Sequence, residues 1–196
     1  MSRFPSTVAR VSTLAAVGLL AAMPVTASAA ETGSSAQSSA QIVVIDAYTE
    51  KIKESAGVAF TCPTNQVLIG RAHGGDENGT TTYYCALILI DAQIAAVSAP
   101  TWSGNQKESN SLFSAATDQV LVGRQHSGDE NGQTRYATAQ LSVGGRAVTL
   151  TGRRWTDPQK ESSSNSRAGE LEVMVGRQHS GDENGQTRYE YARLVG

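Results

Sequence analysis

The stretch "GRQHSGDENGQTRY" stands at Gly123–Tyr136 and recurs letter for letter at Gly176–Tyr189. A looser copy, "GRAHGGDENGTTTY", fills Gly70–Tyr83. The copies align at a constant spacing of about 53 residues, with Val67, Val120 and Val173 in register, and then Gly70, Gly123 and Gly176. A fixed period of this size is the mark of a repeat architecture. The match extends upstream. "KES" precedes each copy, at Lys53–Ser55, Lys107–Ser109 and Lys160–Ser162. Five residues before each lysine stands an aromatic followed by a hydroxyl: Tyr48-Thr49, Trp102-Ser103 and Trp155-Thr156. An apolar stretch precedes each aromatic.

Within a repeat the signals are those of strands. "NQVLIGRAH", "DQVLVGRQH" and "EVMVGRQH" are short and rich in branched apolar residues, and no helical period of useful length appears. Asn-Gly between the flanking runs is a strong hairpin signal, because glycine accepts a positive φ. The third repeat stops soon after "YARLV", while the first has a spare apolar stretch ahead of it at Ile42–Tyr48. The expected fold is all-β: three repeats of about 53 residues in a pseudo-threefold β-prism or β-trefoil-like domain, closed by the N-terminal strand. The repeats are read as about 53–106, 107–159, and 160–196 completed by 42–52. Tyr48, Trp102 and Trp155 are read as core residues at equivalent positions, with interface anchors as the alternative.

The chain opens on a targeting pattern. Arg3 and Arg10 give a positive n-region ahead of the apolar run Thr13–Ala22, and "ASA" at Ala27–Ala29 offers a cleavage site. Residues 1–29 read as a secretory signal peptide, so the expected location is extracellular. Residues 30–41 are small and polar, a flexible lead into the β domain of 42–196. That leaves about 155 residues, one ordinary domain able to bury roughly 68–70% of its unfolded surface. Of 16 Lys and Arg, two lie in the leader, which leaves 14 against 18 Asp and Glu and a net charge of about −4. That balance argues against nucleic acid, and no later stretch has the length of a membrane span, so membrane insertion is not expected. Cys62 and Cys85 are the only cysteines; an even pair in an exported chain predicts a disulfide between the strand before the first hairpin and the strand after it.

A turn alone does not call for His, Asp and Glu together, yet all three histidines of the chain occupy one motif position. Candidate binding residues are therefore His73, Asp76, Glu77 and Asn78 in the first copy. In the second they are His126, Asp129, Glu130 and Asn131, and in the third His179, Asp182, Glu183 and Asn184. Asn131 and Gly132 are expected to hold the hairpin centre, with His126 and Glu130 facing outward for recognition. The plainer reading is a turn whose Asp bonds local amides and whose arginines, at 71, 124 and 177, pair with nearby Glu. The acidic run lacks the alternating oxygen ligands of a calcium loop, and adjacent Asp and Glu point apart on a strand, unlike a facing acid–base pair. No metal, cofactor or catalytic residue is expected, and the chain is read as a non-enzyme.

The motif's spacing resembles the Gln-x-Asp-x-Asn-x-Val-x-Tyr pattern of the monocot mannose-binding lectins, which implies glycans as ligands of the three loops. It departs from that pattern in lacking the Gln and in placing Tyr136 five residues after Asn131. The layout as a whole, with an export signal, the lead Glu31–Gln41 and a compact β domain without catalytic residues, resembles the small adaptor subunit of actinobacterial umbrella toxin particles. That resemblance implies a secreted adaptor that joins partner proteins in an antibacterial particle. It makes the lead, with Glu31, Thr32, Gln37 and Gln41, the partner-docking stretch.

Overall fold

The computed structural model describes residues 39–76, 78–129, 131–182 and 184–195. The leader and three of the docking residues, Glu31, Thr32 and Gln37, lie outside the described residues, as do Glu77, Glu130 and Glu183. The described chain is all-β apart from one 3₁₀ turn at Glu161–Ser163. Its first repeat contains β1 (Ile42–Ile52), β2 (Ala56–Thr61), β3 (Gln66–Gly74), β4 (Thr80–Ile90) and β5 (Gln93–Ile94). The second contains β6 (Ala96–Val97), β7 (Thr101–Trp102), β8 (Gln106–Lys107), β9 (Asn110–Ser114), β10 (Gln119–Ser127), β11 (Gln133–Val143) and β12 (Arg146–Ala147). The third contains β13 (Thr149–Trp155), β14 (Gln159–Lys160), β15 (Asn165–Arg167), β16 (Glu172–Ser180) and β17 (Gln186–Val195).

Each motif copy is the tip of an antiparallel hairpin: β3–β4, β10–β11 and β16–β17. Each hairpin carries the same bulge, at Leu68/Gly70, Leu121/Gly123 and Met174/Gly176. The second hairpin strand pairs with its own repeat's outer strand: β4 with β1, β11 with β6, β7 and β8, and β17 with β13 and β14. The first hairpin strand instead receives a strand from the preceding repeat. β2 pairs with β10, β9 with β16, and β15 returns to β3.

This strand exchange closes the circle. Ile42–Tyr48 lies on β4, with Ile42 opposite Ile90, the place that β6, β7 and β8 take on β11 and that β13 and β14 take on β17. In the 53–106, 107–159 and 160–196 frame each of those segments is the tail of the repeat before, so β1 stands where a tail of the third repeat would, and β15 adds a second link by returning to β3.

The strands β3, β10 and β16 contact one another and so surround a common axis. Their alternating residues build two apolar clusters. One joins Val67, Val120 and Val173 with Ile69, Val122 and Val175. The other joins Leu68, Leu121 and Met174 with Tyr83, Tyr136 and Tyr189. Phe60 and Phe113, on exchanged strands, stack on Tyr83 and Tyr136 at 4.3 and 4.7 Å, so each aromatic pair fastens a donated strand back to its own repeat. Cys62 and Cys85 form the expected disulfide, with Cα atoms 5.8 Å apart. The repeat aromatics differ: Tyr48 is 39% exposed, Trp102 is half-buried beneath Arg135 and packs against the first cluster, and Trp155 is half-buried beneath Arg188.

Candidate functional site: an axial ring of ion pairs beneath three loops

Past the apolar clusters, the strands around the axis each carry one arginine. Arg71, Arg124 and Arg177 are all 2% exposed or less. The glutamates of the three "KES" segments, Glu54, Glu108 and Glu161, are buried between them. Together they form a closed ring of alternating charge. Glu54 joins Arg71 at 2.7 Å and Arg124 at 2.6 Å. Glu108 joins Arg124 at 2.8 Å and Arg177 at 2.8 Å. Glu161 joins Arg177 at 3.0 Å and Arg71 at 2.9 Å. The two short motifs that recur together, Gly-Arg and Lys-Glu-Ser, thus supply the two halves of one network.

Burial raises each carboxyl's pKa, but two flanking guanidiniums outweigh it and hold all three glutamates below the ordinary carboxylate range. The arginines are held charged by the same pairs, against their own desolvation. Arg71 also donates to the Tyr189 hydroxyl at 3.0 Å.

The histidines lie two residues beyond the arginines on the same strand face. They do not face outward as expected: His73, His126 and His179 are 9, 7 and 3% exposed. Each Nε2 hydrogen-bonds a loop carbonyl, of Asp76, Gly128 and Gly181 respectively. His73 also bonds Thr81 Oγ1 at 2.7 Å. Nδ1 of His126 and His179 makes no hydrogen bond and stands 3.8 and 3.7 Å from Glu108 and Glu161. Burial, then the neighbouring arginine charge, lowers all three imidazole pKa values, that of His179 to about 4.

The loops use their glycines differently from the expected Asn-Gly turn. The positive φ falls on Gly75, Gly128 and Gly181, at +101°, +88° and +97°. The glycine of Asn-Gly is required by space: a Cβ at Gly79, Gly132 or Gly185 would collide with the carbonyl oxygen of residue 74, 127 or 180. Each loop Asp accepts from the backbone N–H of the Asn two residues on, at 2.8–2.9 Å. Its carbonyl accepts from the glycine N–H one residue later, at 2.8 Å. The aspartates and asparagines are exposed at the loop surface.

One small cavity of about 40 Å³ lies beneath the loops, lined by the second and third through Asp129 and Asp182. Its walls are the three histidines and three glutamates, with Arg71, Arg124, Asp129 and Asp182. That is room for about three waters. Five of the candidate binding residues, His73, His126, Asp129, His179 and Asp182, therefore meet at one place, while Asp76, Asn78, Asn131 and Asn184 lie on the loop surface around it. Gln41 lies apart, its N–H and C=O both bonded to Asp91. The sequence reading paired the three arginines with nearby Glu without saying which; the partners are Glu54, Glu108 and Glu161, and the recurrence of Lys-Glu-Ser was the available signal. Among the described residues no group of three His, Cys, Asp or Glu is arranged to hold a metal ion, and no helix is long and apolar enough to cross a membrane. No family model, curated protein or solved structure matches the chain.

Proposed function

We propose that the chain is a secreted, non-catalytic adaptor. In this reading a pseudo-threefold, prism-like β scaffold presents one composite docking face to partner proteins in an extracellular assembly, of the antibacterial toxin-particle kind. The observation that carries the reading is the convergence of the three motif loops around a single axis, above a ring that holds them in register. The same sheet order occurring three times supports the prism-like description. The ring's arginines and glutamates stay in one charge state near neutral pH, and the buried histidines stay neutral. Groups so fixed serve as scaffold rather than as general acids or bases, which work with a pKa near the operating pH. A disulfide fits an oxidising compartment, in keeping with the leader.

A multivalent lectin gains avidity from separate sites. Loops that share one axis form one composite surface instead, which favours the adaptor. The test is affinity purification from culture medium with the tagged full chain and a triple variant, Glu77→Ala, Glu130→Ala and Glu183→Ala. The adaptor reading expects protein partners with the native chain and their loss with the variant at an unchanged melting temperature. Equal capture by both chains rejects the loop face. A glycan-array signal without protein capture would establish the lectin.

A further inference from the structure

The first motif copy departs from the other two at four positions, and all four lie on one face of one sheet. Ala72, Gly74, Thr80 and Thr82 stand where the second copy has Gln125, Ser127, Gln133 and Arg135, and the third has Gln178, Ser180, Gln186 and Arg188. Every change shortens the side chain. Strand register sets the four side by side: Ala72 lies opposite Thr82, and Gly74 opposite Thr80. Alternation along the strands turns them outward, away from the face that buries Arg71, His73 and Thr81.

In the second repeat the same outer face is filled. Arg135 lies over the Trp102 ring at 4.8 Å and donates from Nε to Gln125 Oε1 at 2.6 Å. Gln125 Nε2 donates in turn to the Gly57 carbonyl at 2.7 Å. In the third repeat Arg188 covers Trp155. The first repeat lacks these side chains, and a hollow of about 530 Å³ takes their place, lined by all four shortened residues. The volume falls within the roughly 300–1,000 Å³ of ligand sites. Folding does not ask for this smallness at Gly74. It has no positive φ, and a Cβ added there meets nothing within 4 Å.

The row of opposed residues continues onto both neighbouring strands, to Lys51 on β1 and Asn165 on β15. The floor is the middle of the run β1-β4-β3-β15, whose backbone groups bond within the sheet, so a peptide strand finds no edge there to extend. Apart from glycine, Ala72 is the one apolar residue on the wall, which gives an aliphatic ligand little to bury against. What the hollow offers is hydroxyl and amide groups, which both donate and accept, and one charge, the Lys51 ammonium, with no carboxylate beside it on the wall. Thr80, Thr82, Ser163 and Asn165 spend no side-chain hydrogen bond elsewhere among the described residues. Glu50 points to the other face of β1, where it accepts from the Tyr48 hydroxyl.

We propose that this hollow is a saccharide-binding site of the first repeat, and that its sugar carries a carboxylate, as uronic and sialic acids do, set against Lys51. Ring hydroxyls pair with Thr80, Thr82, Ser163 and Asn165, and the floor of small residues admits the sugar ring. The site does not rest on the adaptor reading.

The test measures binding of the full chain to uronate- and sialate-bearing oligosaccharides and to their neutral counterparts, by calorimetry and by NMR shifts of Ala72, Thr80 and Thr82. The double variant Ala72→Gln, Thr82→Arg restores the letters of the second copy. Those letters already fold at the matching positions of two repeats, so its melting temperature should stay native. Acidic sugars should shift all three residues, and the double variant should lose that binding. Lys51→Gln should bind them about fivefold more weakly, the upper scale of one exposed ion pair, and should no longer prefer them to neutral sugars. No shift, or equal affinity of the native chain for neutral sugars, would overturn the proposal. A glycan signal that the double variant keeps would overturn it in favour of the motif loops, and tighter binding of a glutamate-rich peptide would overturn it in favour of an acidic protein segment. Sugar binding without protein capture, or capture without sugar binding, tells failure of the adaptor reading from failure of this one.

Discussion

Arg124 sits between Glu54 and Glu108 with almost no exposure, so its loss strands two carboxylates in the interior. Arg124→Met should cost about 3–5 kcal/mol, the usual consequence of breaking one member of a buried ion network; urea unfolding measures it. The histidines set a pH dependence. Their folded pKa values lie below the unfolded 6.5, to about 4 for His179, so the unfolded chain binds the proton more readily. Stability from this source is complete above pH 6.5 and is lost as pH falls toward 4. The glutamates, also depressed when folded, add a loss that begins near their unfolded 4.5. Both act in the same direction. The groups facing His179 are Arg177, Glu161, Glu108 and the Gly181 carbonyl. Thermal melts should fall steadily between pH 6.5 and 4, and His179→Gln should flatten the upper part of that fall. Gly132→Ala should fail to fold at native temperature, because the added methyl meets the Ser127 carbonyl.

At the scale of elements, the exchanged strands shorten around the circle: β2 has six residues, β9 five and β15 three. Where Phe60 and Phe113 stack on tyrosines, the third repeat has Ser166, whose hydroxyl bonds Tyr191 at 2.8 Å. Tyr191 occupies the position of Cys85 and Thr138, and its bulk fills the space of the missing phenylalanine. The disulfide secures the opposite end of this series, closing a loop across a sequence separation of 23 residues. Reduction should therefore cost about 3 kcal/mol by loop-closure entropy, read as a shift in the urea midpoint. Truncation separates edge from closure. Removing residues 30–38 should change stability by less than about 0.5 kcal/mol. Removal through Tyr48 takes away Ile42 and Val44 and should cost about 3 kcal/mol. Because β15 still covers β3, the shortened chain should keep the amides of Arg71 and His73 protected from exchange; their loss of protection would mean that the β15 link depends on β1.

Over the whole molecule, three loops with an aspartate each stand at one end of the axis, above a ring whose six charges cancel. The lysines of the three Lys-Glu-Ser segments stand beside the loops, Lys53 with Asn78 and Asp129, and Lys107 and Lys160 opposite Gln133 and Gln186. A partner docked there should present charges of both signs. Capture should weaken as salt rises from 0.05 to 0.5 M, through Debye lengths of about 14 to 4 Å; salt-independent capture would mean that the loops bind through apolar or hydrogen-bonding contacts instead.

Local chemistry determined a good deal from the sequence alone. The branched apolar runs, the hairpins at Gly-Asp-Glu-Asn-Gly, the period and the disulfide were all readable, because each depends on residues close in the chain or on a parity of two cysteines. The positions that failed depend on which strand lies beside which. Ile42–Tyr48 reads as a strand from its letters, and only the tertiary pairing makes Ile90–Cys85 of the first hairpin its neighbour. His126 sits on a strand whose alternation leaves two faces open to choice, and the threefold meeting of β3, β10 and β16 turns its face inward. Glu54 and Arg124 are remote in sequence and become partners only when β2 crosses to β10. A ring of ion pairs built from three strands and three neighbouring turns has no local signature beyond the recurrence of its letters, and long-range packing decides its existence.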